Sequence, residues 1–100
     1  MEVILLLSAD MDLQSAYERY EDYQSGRGEV LMRQIDAALS ILRRHPNLGS
    51  PYVGDYRRML VRDFPYGIFY VAERSRVVVV AILDLRQDPV TIRRRISGNP

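Results

Sequence analysis

The apolar positions of this chain follow two rhythms, one of helices and one of strands. Val3 to Leu7 is an unbroken run of five apolar residues and reads as a buried strand. From Leu13 the spacing lengthens: Leu13, Ala16, Tyr17, Tyr20 and Tyr23 recur at three- and four-residue steps, the period of one helix face. Ser8 is placed to cap that helix. Asp10 and Asp12 fall in its first turn, where the helix dipole favours anions. Gly26 and Gly28 then interrupt the pattern. A second stripe follows at Leu31, Ile35, Ala38, Leu39 and Leu42, with Arg43 and Arg44 in its last turn and Pro46 to end it. The pattern predicts two antiparallel helices joined by a glycine turn.

Residues 46–55 (PNLGSPYVGD) are dense in Pro, Gly and Asn and read as a loop. The period then shortens to two. Tyr56 to Arg62 is a strand with Met59 and Val61 towards the helices and Arg58, Leu60 and Arg62 on the opposite face. Two further strands, Gly67 to Glu73 and Arg76 to Leu83, meet at the polar break Arg74-Ser75. In the second of these, both alternating sets are apolar: Val77, Val79, Ala81 and Leu83 against Val78, Val80 and Ile82. Such a strand is central and covered on both faces. The helical hairpin supplies one cover; the C-terminal segment or a partner must supply the other. Pro89 suits the first position of a short helix from Asp88 to Ile96, which Gly98-Asn99-Pro100 would not continue. The expected fold is α+β: an N-terminal strand, an antiparallel helical hairpin, a three-stranded antiparallel meander and a short C-terminal helix. One hundred residues are expected to form one domain, 1–100.

Charge sharpens the picture. The net charge is +1, but residues 1–50 carry five Arg against eight acids and residues 51–100 carry nine against five, giving −3 and +4. All the basic residues are arginine, whose planar fork suits phosphate and carboxylate but cannot move protons. There is no cysteine, hence no disulfide framework or thiolate chemistry. No cluster of His and carboxylates has metal-ligand spacing, so neither metal nor cofactor is expected. The lone His45, before Pro46 at a helix end, reads as a cap or surface residue. Tyr17, Tyr20 and Tyr23 read as hairpin packing; Tyr66 and Tyr70, sharing a strand face, read as structural; Gly67 reads as a bend or a close backbone approach. The apolar start is too short and wrongly flanked for a signal peptide or a membrane span, which points to a cytoplasmic protein with no membrane partner.

An ordered set of strings carries a family resemblance. Arg57-Arg58-Met59-Leu60-Val61 is followed by Phe64-Pro65-Tyr66-Gly67-Ile68-Phe69-Tyr70 and then by Leu85-Arg86-Gln87-Asp88-Pro89. Ser8 to Leu13 precedes the first helix, and Tyr20-Glu21 stands near its end. Across essentially its whole length the chain resembles the RelE/ParE toxins of bacterial type II toxin–antitoxin systems. That resemblance implies a toxin that arrests growth or stabilises a plasmid, a cognate antitoxin partner, and operator DNA contacted only through the antitoxin.

It also implies a choice of chemistry. RelE-like members cut mRNA on the ribosome, whereas ParE-like members inhibit DNA gyrase by protein–protein contact. The position matching a RelE strand lysine holds Arg58, the next alternate position holds Leu60, and the position matching the strand arginine holds Gly67. Gln87 follows Arg86, and no His or Tyr comes after it. Arg58, Arg62 and Arg86 can bind phosphate, but no proton-transfer group accompanies them, so the chain is closer to ParE. It departs from ParE too, with Asp84 where many relatives have His and Gln87 where they have a second Arg. Under the ParE reading, Arg86, Arg93, Arg94 and Arg95 would contact the target. The antitoxin would cross Arg58, Leu60, Arg62, Tyr70, Val78 and Val80, its acidic side chains meeting the arginines. The alternatives are a ribosome-dependent endoribonuclease using Arg58, Arg62 and Arg86, and an antitoxin-binding co-repressor module without toxicity.

Overall fold

The computed structural model describes residues 1–98 and follows the order β1 (Glu2–Leu5), α1 (Leu7–Tyr23), α2 (Arg27–Arg44), β2 (Ser50–Pro51), β3 (Tyr56–Leu60), β4 (Tyr66–Ala72), β5 (Arg76–Asp84) and α3 (Pro89–Ser97). The expected meander β3-β4-β5 is present, within a five-stranded mixed sheet ordered β1-β5-β4-β3-β2. β1 joins it parallel to β5, from Glu2 opposite Arg76 to Leu5 opposite Val79. β2 is a two-residue addition from within the expected loop, Ser50 opposite Arg58 and Pro51 opposite Arg57. The turn at Arg74-Ser75 is closed by the Glu73 N–H donating to the Arg76 carbonyl.

Several boundaries differ from the sequence reading. β1 stops two residues early and is half-buried, because it is an edge strand rather than a central one. Leu7 begins α1 and stands 74% exposed. Ser8 is therefore not the cap; Leu6 holds that position without a side-chain hydrogen bond. Arg62 lies beyond β3, in the turn to β4. Along α1, Ala9 and Ala16 are buried and Leu13 and Tyr20 pack against the core, but Tyr23 points to solvent. The predicted α2 stripe of Leu31, Ile35, Ala38, Leu39 and Leu42 is wholly buried. His45 is the C-cap of α2.

The sheet separates two apolar layers. Beneath the helical hairpin lie Val61, Tyr66, Ile68, Tyr70, Val77, Val79 and Ile82. On the other face, Phe69, Val78, Val80, Ala81 and Leu83 pack with Ile92 and Ile96 of α3. The second cover demanded by the sequence is thus this chain's own C-terminal helix, begun by an Asp88 side chain that accepts from the Val90 N–H. Burying each isoleucine of that helix contributes about 1.5–3 kcal/mol. The helix ends at Gly98, its C-cap; Asn99 and Pro100, expected to block its continuation, lie outside the described residues.

The alternation of β5 is not the simple one read from sequence. Phe69 opposes Ala81 and Tyr70 opposes Val79, so Val80 is an extra residue on β5, a β-bulge. Beyond it the faces exchange: Ala81 and Leu83 join Val78 and Val80 under α3, while Ile82 joins Val77 and Val79 under the hairpin. The bulge lies where β1 ends, and α1 takes over as the neighbour of β5. The Ser8 hydroxyl donates to the Val80 carbonyl at 3.0 Å, and the Asp12 carboxylate accepts from the Ile82 N–H at 3.0 Å. Side chains of a helix thereby complete a ladder that the strand leaves unfinished.

Candidate functional site

On the α3 face of the sheet, three elements bring cations around one aromatic ring. Tyr52, from the loop after β2, meets Phe69 of β4 edge-on at 5.0 Å between centroids. Arg58 of β3 and Arg93 of α3 each place a guanidinium 5.9 Å from the Tyr52 centroid. A cation–π contact of this kind contributes about 0.5–1 kcal/mol at an exposed site. Neither arginine is ion-paired to a carboxylate among the described residues. Arg94, on the next position of α3, is exposed.

The floor beside Arg58 is backbone. A Cβ at Gly67 would lie 3.0 Å from Leu85 Cδ2 and 3.3 Å from Arg58 Cγ, so glycine lets both side chains close over β4. This is the close approach that the sequence reading assigned to Gly67. Leu60 is 60% exposed opposite Gly67, and Val90 is 59% exposed on the first turn of α3. Apolar side chains with unpaired guanidinium groups between them form a surface suited to an amphipathic, acidic segment.

A polar cleft of about 260 Å³ opens at the other side of α3, lined by Asp12, Ser15, Arg19, Tyr66, Asp84, Gln87 and Arg95 among others. Its charged groups satisfy one another. Arg95 donates to both oxygens of Asp12, at 3.2 and 2.9 Å, which ties α3 to α1. Arg19 donates to the Tyr66 hydroxyl at 2.9 Å. Arg86 grips Asp84 through Nε at 3.0 Å, Nη2 at 2.7 Å and its own N–H at 2.9 Å. Those hydrogen bonds hold the Asp84 carboxyl below the usual carboxylate range, against its partial burial. Burial lifts the Tyr66 hydroxyl above its ordinary value, so the group stays protonated near neutrality and is a poor base.

The other candidates fall into three groups. Arg58 and Leu60 share the α3 face, and Arg62 is exposed in the adjoining turn. Val78 and Val80 lie on that face too, but beneath α3 and nearly inaccessible. Tyr70 lies on the opposite side, fully enclosed under the helical hairpin, its hydroxyl accepting from the Gly49 N–H at 2.8 Å; its ring offers no surface to a partner. Asp12, expected only to serve the start of its helix, instead joins three elements. Arg58, Arg62 and Arg86 share no contact with a common proton-transfer group among the described residues. There, too, no three His or carboxylates gather to hold a metal ion, and no helix is long and apolar enough to cross a membrane. Sequence reasoning missed Tyr52, whose signal was an aromatic residue inside a Pro- and Gly-rich loop. It also missed Arg19, which carries no distinguishing pattern, and gave Leu85 no role beyond its place in the Leu85 to Pro89 string.

Comparison with known proteins bears on the family and the fold. The family model of the ParE toxin of type II toxin–antitoxin systems (parDE) matches residues 3–89. Among solved structures, a chain of the chromosomal ParDE toxin–antitoxin system from P. aeruginosa superposes with a TM-score of 0.76 at 16% identity. The match covers 85% of this chain and 96% of that one, which relates the two folds. No curated protein matches.

Proposed function

The chain belongs to the ParE toxin family of type II toxin–antitoxin systems, and on that premise we propose that it inhibits DNA gyrase by direct contact and is neutralised by a cognate antitoxin. The observation that carries the second half is the pair Arg58 and Arg93, flanking Tyr52 without a carboxylate partner among the described residues. An antitoxin segment with acidic side chains supplies the missing anions there, while its apolar side chains cover Leu60, Leu85 and Val90. Complementary charge steers that encounter and fixes its register more than it adds affinity. Operator DNA is then reached through the antitoxin.

Gyrase contact is the reading favoured for the toxic activity because the alternative lacks its chemistry. Cleavage of RNA through the 2′-hydroxyl needs one group to accept a proton, one to give it and cations for the phosphate. Arg86 is already bound to Asp84, and the Tyr66 hydroxyl is held by Arg19 in the cleft beside α1. Arg94 and Arg93, exposed on α3, remain as the principal groups for contacting a target protein.

Inducible expression without antitoxin, followed by assays of mRNA integrity and gyrase supercoiling, tests this. The expected result is growth arrest with intact mRNA and blocked supercoiling. Cleaved mRNA would overturn it in favour of a ribosome-dependent nuclease. Normal growth would leave an antitoxin-binding co-repressor.

A further inference from the structure

The sheet has two edges, and they differ. At one, β2 is two residues long and contains Pro51, which has no N–H to donate. At the other, β1 is Glu-Val-Ile-Leu, with no proline or bulge and no charge beyond its first residue. Leu6 donates to the Val79 carbonyl, so by alternation Ile4 and Glu2 also direct their backbone groups at β5. The N–H and C=O groups of Val3 and Leu5 therefore point out of the sheet. Proteins blunt such edges with charge, proline or cover; this one surrounds it with apolar side chains. Met1 is 48% exposed, Leu7 74% and Met11 61%, the last two one turn apart on α1.

We propose that this edge pairs with the same edge of a second copy of the chain, antiparallel about a two-fold axis at Ile4. In that register Val3 faces Leu5 of the other copy and Leu5 faces its Val3, so the four outward groups of each strand meet their complements. Met1 falls beside the start of α1 of the other copy, where Leu7 is the most exposed apolar side chain of the region. Glu2 faces Leu6 rather than a second Glu2, so no like charges meet. The same patch serves both copies, and the assembly closes as a dimer with one continuous ten-stranded sheet. The surface lies away from Arg58 and Arg93, so the proposal stands or falls independently of the toxic target.

The test is sedimentation of the full chain across a range of concentrations. The expected mass is twice the 11.6 kDa of the chain. Val3→Pro removes an outward N–H without touching the β5 ladder, and Leu7→Arg adds charge to the patch; each is expected to give a folded monomer by circular dichroism. The chain has no cysteine, so Ile4→Cys adds a single thiol per chain. Residues facing each other on the axis lie roughly 4.5 Å apart at Cα, within disulfide reach. Ile4→Cys is expected to form an intermolecular disulfide on mild oxidation, and Glu2→Cys is not. Monomer at every concentration, or a dimer indifferent to Val3→Pro and Leu7→Arg, would overturn the proposal. So would hydrogen-exchange protection of Val3 and Leu5 that arises only when antitoxin is added, which would assign the edge to that partner.

Discussion

Single residues in this protein are held by pairs of contacts that a sequence does not display. Gly49 reads in the chain as one more loop glycine. In the fold its N–H donates to the Tyr70 hydroxyl, its carbonyl accepts from Arg57 at 2.8 Å, and a Cβ there would sit 2.6 Å from Tyr70 Oη. Gly49→Ala is expected to lower stability by about 1–3 kcal/mol, read from the denaturant midpoint. Tyr70→Phe leaves the Gly49 N–H without its partner, and a loss of similar size is expected. Asp84 gives a prediction in pH. Its folded pKa is depressed by Arg86, so the pair's stabilisation is present above the unfolded carboxylate value and lost as pH falls through the folded one. Arg86→Ala should raise the Asp84 pKa in an NMR titration and weaken the acid dependence of stability below about pH 4. An unshifted titration would mean that the bidentate grip is not kept in solution.

At the scale of elements, what was legible was whatever one element encodes alone. The α2 stripe needed only a 3.6-residue period, and Asp88-Pro89 needed only the rules of a helix start. The bulge at Val80 belongs to two strands at once, which is why both faces of β5 looked continuous and the exchange after Val80 was invisible. The role of Asp12 was hidden for a similar reason, since its partners are 70 and 83 positions away. Asp12→Ala should release the Ile82 amide, speeding its hydrogen exchange on the order of tenfold or more relative to the neighbouring ladder. Equal exchange in both proteins would show that β5 closes its edge without α1. Tyr70 misled for the opposite reason: it lies in an apolar strand flanked by arginines, but alternation puts it on the hairpin side.

Over the whole molecule, the fold class and the order of elements followed from the sequence, whereas the accessibility of the candidate surface followed only in part: α3 covers Val78 and Val80, while Leu60 stays exposed beside Arg58. Charge is divided spatially as well as along the chain: α1 carries five acids and one arginine, and α3 carries three arginines and no acid. Association with an acidic antitoxin should therefore slow as salt is raised, and Arg58→Glu or Arg93→Glu should weaken it about tenfold or more, measured by binding kinetics. A salt-independent rate would place the antitoxin elsewhere. One further consequence comes from the ladder that α1 completes. The first twelve residues pack partly on α2, but their strand ladder and long-range side-chain hydrogen bonds are made with residues 76–95: β1 along β5, Ser8 at Val80, Asp12 at Ile82 and Arg95. A nascent chain grows at about 5–20 residues per second, so this ladder waits several seconds for residues 76–95 to be made. The sheet and its first helix thus lock together only after residues 76–95 have been made, and an antitoxin already present has that interval in which to be waiting.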